Sequence, residues 1–432
     1  MVKKVTAVTV GCKVNLSDTQ ALLQQFINAG YEVVDFADGA VVDVCVINTC
    51  CITNTAEKKS RQAVRRVKGR GIVAAVGCAS QADAARFVDI GADIVLGTTN
   101  RDKLLYYVEN FRAGDVVIDC NPDISDFNNF ETASISDSQN RTRAFLKIQD
   151  GCDNFCTFCI IPHVRGKSRS RPRADVMAQA RRFAENGHKE IVVAGICVAS
   201  YGNDLQDCNL LSVLKEICDV NGVERVRLSS VEPGVITPEF LDFAAVQPKF
   251  CDHLHLSLQS GSDAILTAMG RKYSTEQFAR TVAALKKILP DISITTDLIA
   301  GFPGESDAQH QQTLEFITNL GPAALHVFPY SAKKGTAAAK LSGQLSAAIK
   351  NQRAKELIEL GNKLTVAHNA RFAGRTMSVL AESRDTAGLY EGKTTNYITV
   401  CFEAEDGLQG RIVDVRLDTP RGGGFFGVLQ NN

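Results

Sequence analysis

The first 120 residues alternate short runs of Val and Ile with segments in which apolar residues recur at helical spacing. The runs predict buried strands and the intervening segments predict helices. Strands and helices are expected in turn over 5–10, 18–29, 42–47, 55–68, 72–76, 81–90, 94–96 and 101–111. Such alternation is typical of a doubly wound parallel sheet, so we predict an N-terminal α/β domain over residues 1–120.

Residues 121–143 are polar, aperiodic and rich in Asn, Asp and Ser, which indicates a linker. Six further strand–helix units then predict a central partial (β/α) barrel over residues 144–345. Its functional groups are expected at the carboxyl ends of the strands. The six predicted strands are 144–149, 190–194, 225–229, 253–258, 293–300 and 324–328.

A long helical pattern over 346–372 connects the barrel to a β-rich segment, 373–432. Short apolar runs separated by glycines predict a small C-terminal β-barrel there. The four predicted strands are 377–381, 397–402, 410–417 and 425–429. The fold class expected for the whole chain is α/β.

The charge balance limits how this chain can bind nucleic acid. Its 48 Lys and Arg residues equal its 48 Asp and Glu residues, and 45% of the chain is hydrophobic. Wholesale disorder and a polycation are therefore excluded, and an RNA contact must be a local patch. No apolar run approaches the roughly 18 residues of a membrane span. The 14 cysteines, with no secretory signal, favour reduced thiols or metal ligands in a cytoplasmic protein.

Three cysteines, Cys152, Cys156 and Cys159, follow the first barrel strand with the spacing CxxxCxxC. Thiolates that close together can share one soft metal centre. A structural zinc site usually has four ligands in paired CxxC units, and no fourth ligand follows at suitable spacing. Three ligands on an iron–sulfur cluster leave one iron open for a substrate or cofactor. The alternative is three buried cysteines on a turn.

This motif, with the aromatic Phe158 before its last cysteine, resembles the radical S-adenosylmethionine (SAM) superfamily. The resemblance implies a [4Fe-4S] cluster on the three cysteines, an open iron that chelates SAM, and cleavage of SAM to a 5'-deoxyadenosyl radical. Four more residues at predicted strand ends are candidate SAM contacts beside Phe158, although turn or capping roles are an equal alternative. They are Gly195, Glu232, Gln259 and Asp297.

Cys12, Cys50 and Cys78 each follow a predicted strand of the N-terminal domain. Loops after successive parallel strands converge on one edge of a doubly wound sheet, so these thiols can meet. Spacing alone leaves two alternatives open, a second cluster or ordinary buried thiols. Cys51 is expected to point elsewhere in an extended segment. Cys197 is expected in the core.

The motifs around these cysteines resemble the methylthiotransferases. They are Gly-Cys-Lys-Val-Asn at 11–15, Asn-Thr-Cys at 48–50 and Gly-Cys at 77–78. The likeness covers essentially the whole chain and includes a C-terminal segment similar to the TRAM RNA-binding domain. It implies that Cys12, Cys50 and Cys78 hold an auxiliary [4Fe-4S] cluster that carries the inserted sulfur. Gly-Cys-Lys-Val-Asn is most similar to the branch that modifies N6-threonylcarbamoyladenosine at tRNA position 37. Cys51 departs from the family pattern.

Basic residues cluster in three places, for which an RNA surface and an ordinary solvated face are the alternatives. The predicted helix 55–68 carries Lys58, Arg61, Arg65 and Lys68. The run after the CxxxCxxC loop carries Arg165, Lys167, Arg169 and Arg171. The C-terminal segment carries Arg411 and Arg416. The second run is also the candidate for binding the threonylcarbamoyl carboxylate.

We therefore hypothesise a radical SAM methylthiotransferase with two [4Fe-4S] clusters and SAM. Its implied partners are the tRNA anticodon stem-loop carrying modified adenosine-37 and an electron donor such as flavodoxin or ferredoxin. One alternative is an enzyme of the same architecture that modifies an aspartate of a ribosomal protein. A second is a non-catalytic, metal-stabilised RNA-binding protein. His253 and His255 would share one face of a strand, and we assign them no role.

Overall fold

The computed structural model describes residues 2–36, 41–131, 135 and 141–430. Its N-terminal part contains β1 (Lys4–Thr9), α1 (Lys13–Asn28), β2 (Glu32–Val33), β3 (Val44–Thr49), α2 (Asn54–Val67), β4 (Ile72–Gly77), α3 (Cys78–Ala82), α4 (Ala84–Asp89), β5 (Ile94–Leu96), α5 (Leu104–Glu109) and β6 (Val117–Asp119). The strands form one parallel sheet in the order β2-β1-β3-β4-β5-β6. The order reverses between β1 and β3, where a doubly wound sheet opens its crevice.

Helices cover both faces of this sheet because successive strand residues point to opposite sides. In β3, Val44 and Val46 pack with α1 and α5. Cys45 and Ile47 pack with α2 and α4 on the other face. The predicted doubly wound sheet is confirmed. The single helix predicted over 81–90 is instead two helices, because the Asp83 carboxylate caps the start of α4.

Six parallel strands form the central part, in the order β7-β9-β10-β11-β12-β13. β7, β9 and β10 belong to one sheet and β11, β12 and β13 to another, and isolated parallel bridges join β10 to the chain around β11. No pairing joins β13 back to β7 among the described residues, so the predicted partial barrel is confirmed. The elements are β7 (Arg143–Asp150), α6 (Ile161–Arg165), β8 (Arg169–Ser170), α7 (Arg173–Glu185), β9 (Glu190–Gly195), α8 (Leu210–Cys218), β10 (Arg225–Leu228), α9 (Pro238–Val246), β11 (His253–His255), α10 (Asp263–Ala268), α11 (Thr275–Ile288), β12 (Ser293–Ala300), α12 (Asp307–Leu320) and β13 (Ala324–Pro329).

The C-terminal part begins with α13 (Ala347–Ala370) and continues with β14 (Thr376–Arg384), β15 (Leu389–Thr394), β16 (Thr399–Glu403), β17 (Ile412–Arg421) and β18 (Gly424–Leu429). The five strands close a barrel in the order β14-β15-β16-β18-β17, as the sequence predicts. β15 is absent from the prediction because two of its three inward positions are Gly392 and Thr394, which give no apolar alternation. A Cβ on Gly392 would lie 2.3 Å from the Leu380 carbonyl oxygen, so only glycine fits there.

The C-terminal barrel docks on the amino ends of the central strands. Arg225 donates to the Lys393 carbonyl at 3.0 Å. Arg227 donates to the Thr395 carbonyl at 2.8 Å and pairs with the buried Glu190 at 2.7 Å. The Tyr397 ring stacks on His253 at a centroid distance of 4.5 Å. These contacts place the loop that contains residues 393–397 across the barrel interior at the amino ends of the central strands.

The N-terminal sheet docks on the barrel through buried charges. Asp18 of α1 accepts from Lys147 at 2.7 Å and from Arg165 at 3.0 Å, and it pairs with Arg101. Asp150, at the end of β7, accepts from Arg165 at 2.9 Å and from Lys147 at 2.6 Å. All five side chains are at most 8% exposed. We call them the interdomain ion cluster.

The predicted linker covers part of this cluster. Phe130 lies under the Lys147 ammonium at 5.3 Å, and Phe127 lies under the Arg169 guanidinium at 5.0 Å. Residues 132–134 and 136–140 of that linker lie outside the described residues, as do Met1 and residues 431–432. The predicted domain boundaries stay predictions. In the described part of the chain, no helix is long and apolar enough to span a bilayer.

Replacing Asp18 by Asn should destabilise the fold at neutral pH and flatten its response to acid. Burial alone would raise the pKa of Asp18, but Arg101, Lys147 and Arg165 hold this pKa well below its usual value. The stability it contributes is therefore present above the unfolded pKa of about 4 and is lost as pH falls further, towards the folded value. At pH 7 we expect Asp18→Asn to cost about 3–5 kcal/mol, because it leaves buried guanidinium charge uncompensated.

Urea unfolding followed by circular dichroism at several pH values checks this expectation. Asp418→Asn is the control, because Asp418 lies 52% exposed beside Arg416 and such surface pairs contribute about 0–1 kcal/mol. Equal midpoints for the two variants at pH 7 would contradict the assigned role of the ion cluster.

Candidate functional site

The CxxxCxxC loop connects β7 to α6 and is held by backbone hydrogen bonds on both sides. Cys152 N–H donates to the Gly166 carbonyl at 3.1 Å, and Thr157 N–H donates to Met269 at 2.9 Å. Gly151 has φ +73°, and a Cβ there would lie 1.8 Å from the Lys167 carbonyl oxygen. This glycine lets the loop turn directly after the strand.

The three loop thiols are half-buried. Negative charge on Cys159 raises the pKa of Cys152, and negative charge on Cys156 raises the pKa of Cys159. Burial raises the pKa of Cys159 to about 11. Such a thiol stays protonated at neutral pH unless a metal replaces the proton. Three half-buried thiols on one fixed loop fit an iron–sulfur cluster with an open position.

Arg271 links this loop to a predicted SAM contact, Glu232. Its guanidinium donates to Cys156 Sγ at 3.3 Å and pairs with Glu232 at 3.1 Å. Asn154 of the loop also donates to Glu232, at 3.0 Å. The sequence gives no signal for Arg271, because this arginine lies between two helices and belongs to no recognisable motif. Cys197, expected in the core, hydrogen-bonds Cys152.

The structure brings Cys12, Cys50 and Cys78 together at one sheet edge. They follow β1, β3 and β4, which are neighbours in the sheet, and a Cβ on Gly11 would lie 3.1 Å from Cys50 Sγ. Burial raises the pKa of Cys12, and it raises that of Cys50 to about 12, with Cys78 adding to both shifts. Cys12 and Cys50 therefore carry charge at neutral pH only with a metal bound, and the three neighbouring thiols fit a second cluster.

Two neighbours of Cys78 change the pKa of its thiol. The Cys51 thiol, expected to point elsewhere, hydrogen-bonds Cys78, which corrects that expectation. Arg165 Nε donates to Cys78 Sγ at 3.1 Å. The Cys51 hydrogen bond and the Arg165 charge lower the pKa of Cys78 despite its burial.

A cavity of about 860 Å³ extends from this sheet edge into the barrel. Cys12, Cys50 and Cys78 form one end of its wall, and strands β11, β12 and β13 form another part. Tyr397 and Lys393 of the C-terminal part also line it. Three parts of the chain therefore line one space, and the exposed Cys12 lies on its wall.

The predicted SAM contacts divide between this cavity and its surroundings. Gly195 and Asp297 line the cavity. Phe158 packs beside Phe302 and Met269 instead. Gln259 has φ +77° and exchanges backbone hydrogen bonds with β12. Their role as SAM contacts stays a prediction.

Asp297 belongs to a network of two histidines on the cavity wall. It contacts His255 Nε2 at 3.0 Å and His326 Nδ1 at 3.5 Å, and the donor atoms of the three groups lie within 4.8 Å of one another. Burial alone would raise the pKa of Asp297, but the two histidines lower it. His255 Nδ1 and His253 Nε2 both contact Thr295 Oγ1, at 2.9 and 3.3 Å.

The basic residues predicted to contact RNA differ in their exposure to solvent. Lys58, Arg65, Lys68, Lys167, Arg411 and Arg416 are exposed. Arg61 is half-buried and pairs with Glu57. Arg165, Arg169 and Arg171 are at most 5% exposed, which corrects their prediction as phosphate contacts.

The physical reason is that these buried arginines already have acceptors inside the protein. Arg165 uses its donors on Asp150, Asp18, Asn15 and Cys78. Arg169 donates to the Arg165 and Lys167 carbonyls. Arg171 is instead held through its main chain, whose N–H donates to the Ile148 carbonyl at 2.7 Å and whose carbonyl accepts from the Tyr201 hydroxyl at 3.1 Å. Arg165 and Arg169 are therefore not free to bind a substrate carboxylate either.

Two protein families match parts of the chain. The Radical SAM superfamily matches residues 146–317, and the Uncharacterized protein family UPF0004 matches residues 4–97. A solved structure, the radical S-adenosylmethionine methyltransferase TsrM from Kitasatospora setae, is similar with a TM-score of 0.56 at 14% identity. The aligned region covers 75% of this chain and 72% of the TsrM chain, and at this identity the similarity supports only the fold.

Curated relatives match almost the whole chain. A threonylcarbamoyladenosine tRNA methylthiotransferase, MtaB of Bacillus subtilis (strain 168), is 40% identical over 418 residues, 95% of this chain and 92% of that protein. A tRNA-2-methylthio-N(6)-dimethylallyladenosine synthase of Moorella thermoacetica is 34% identical over 430 residues, 95% of this chain and 94% of that protein. The chain therefore belongs to the radical SAM tRNA methylthiotransferases.

Proposed function

We propose that this protein inserts a methylthio group at C2 of N6-threonylcarbamoyladenosine-37 in tRNA, with two [4Fe-4S] clusters and SAM. The observation that carries the proposal is the single cavity that connects Cys12, Cys50 and Cys78 to the interior of the barrel. The relative named for the threonylcarbamoyl substrate is 40% identical, against 34% for the one named for the dimethylallyl substrate. That difference supports the branch.

Cys152, Cys156 and Cys159 would hold the cluster that binds SAM. When bound, that cluster and SAM supply the radical that activates C2, and SAM also supplies the methyl group. Arg271 fixes the Cys156 side of the loop and orients Glu232. The Glu232 carboxylate then faces the loop as an acceptor for the polar groups of SAM.

Cys12, Cys50 and Cys78 would hold the second cluster, which carries the sulfur. Arg165 lies against Cys78 and offsets negative charge at that edge. A radical reaction requires that water be kept out of this cavity, because water and side reactions would quench the radical. The protein thus supplies position and shielding, while the cofactors supply the reactivity.

The tRNA would approach over the exposed basic residues. Lys58 and Arg65 are exposed on α2, which follows Cys50 in the chain, and Lys68 is exposed directly after this helix. Lys167 follows the CxxxCxxC loop, and Arg411 and Arg416 lie on the C-terminal barrel. Cations at such places can neutralise backbone phosphates. A tRNA substrate supports an activity in the cytoplasm, with an electron donor such as flavodoxin or ferredoxin.

The number of clusters is tested by iron and sulfide analysis with Mössbauer spectra of the anaerobically reconstituted protein. We expect about eight irons per chain, falling to about four in a Cys152/Cys156/Cys159 triple Ala variant and to about four in a Cys12/Cys50/Cys78 triple Ala variant. Cys401→Ser is the control, because Cys401 belongs to the C-terminal barrel, and it should keep the full content. Loss of all iron from the first variant, starting from about four, would leave a single-cluster enzyme.

The substrate is tested by mass spectrometry of tRNA nucleosides from a strain lacking the gene for this protein. We expect 2-methylthio-N6-threonylcarbamoyladenosine to disappear and its unmethylthiolated precursor to accumulate. The wild-type gene should restore the product, and the Cys152/Cys156/Cys159 variant should not. Loss of a methylthio group from dimethylallyladenosine, or from a ribosomal-protein aspartate, would contradict the proposed substrate.

A further inference from the structure

Lys13 lines the cavity next to Cys12, and no described carboxylate forms an ion pair or hydrogen bond with its ammonium group. Tyr397 and His253 lie on other parts of the same wall. Lys13 therefore belongs to the sheet-edge end of a cavity whose other walls come from the barrel and the C-terminal part.

Every arginine near Lys13 already has an acidic partner. Arg143 pairs with Glu382, and Arg227 pairs with Glu190. Arg165 pairs with the carboxylates of the interdomain ion cluster. Cations inside proteins are normally paired, because an isolated charge loses its hydration without compensation. Lys13, which is half-buried and faces the cavity, has no such partner among the described residues.

The wall near Lys13 also has an unused polar atom. His253 is 3% exposed, and its Nδ1 has no hydrogen-bond partner among the described residues. The other lysine that lines the cavity, Lys393, already donates to the Thr399 hydroxyl. The ammonium of Lys13 therefore suits an anionic group in the cavity, and polar residues of the same wall, such as Asn396 and Thr399, suit a hydroxyl beside it.

We propose that Lys13 binds the carboxylate of the amino-acid group on N6 of the substrate base, and so selects an acidic over an apolar N6 substituent. This inference rests on the proposed function and deepens it. A threonylcarbamoyl group carries one carboxylate and one hydroxyl, whereas a dimethylallyl group carries neither. C2 and N6 of adenine flank N1 on the same edge of the ring. A base with C2 towards the Cys12 end therefore keeps its N6 group near the adjacent Lys13.

The test compares the reconstituted full-length enzyme with its Lys13→Gln and Lys13→Arg variants. The ligands are anticodon stem-loop RNAs that carry threonylcarbamoyladenosine, its methyl ester or dimethylallyladenosine. Fluorescence anisotropy under anaerobic conditions gives Kd, and mass spectrometry gives the methylthiolated product. Lys355→Gln is the matched control, because Lys355 lies 71% exposed on α13.

For the free carboxylate, we expect Lys13→Gln to raise Kd about 10- to 100-fold, the range for a charge-assisted hydrogen bond. Kd for the methyl ester should change little in that variant, Lys13→Arg should recover most of the loss, and Lys355→Gln should match the wild type. Iron content measured on each variant shows whether both clusters are in place.

Two outcomes would overturn the inference. An unchanged Kd for the free carboxylate in Lys13→Gln would remove the contact. An equal loss for the free carboxylate and the ester, with reduced iron content, would assign the Lys13 charge to the cluster on Cys12 instead. Failure of the proposed function is distinguishable, because the wild-type enzyme itself would then give no methylthiolated product from the threonylcarbamoyl RNA.

Discussion

The guanidinium of Arg165 connects the N-terminal sheet to the barrel, and the geometry of both thiol sets depends on it. It binds Asp150 at the end of β7, Asp18 of α1 and Cys78 at the start of α3, and it is 0% exposed. None of these charges can be buried without the others, because an unpaired interior charge is strongly unfavourable. The two parts of the chain must therefore dock as one unit. The position of Cys78 relative to the CxxxCxxC loop follows from that docking.

Much of the arrangement could be predicted from the order of the elements. Cys12, Cys50 and Cys78 were expected to meet because the loops after parallel strands converge on one edge, and β1, β3 and β4 are indeed neighbours. The side-chain direction of Cys51 was not predictable in the same way. The alternating side-chain directions of an extended chain do not apply to Cys51, because this residue lies in the loop between β3 and α2.

The burial of Arg165, Arg169 and Arg171 shows why a run of basic residues in the sequence does not by itself predict an exposed basic surface. Arg165 and Asp18 are 147 positions apart, so no window of sequence contains both. The same limit applies to Lys13. The motif Gly-Cys-Lys-Val-Asn, which contains Lys13, is visible in the sequence. Whether Lys13 has a carboxylate partner depends on the barrel strands and the Tyr397 loop, which surround it only in the folded protein. Contacts between distant segments thus determine which charged residues are structural and which are available to a ligand.

The docking of the C-terminal barrel has a consequence for how this protein can vary during evolution. Arg225 and Arg227 bind the loop through the main-chain carbonyl oxygens of Lys393, Thr394 and Thr395. Carbonyl oxygens are common to all residues, so substitutions in the loop leave these anchors in place. Natural selection can therefore change the side chains that this loop presents to the cavity without loosening the attachment of the barrel.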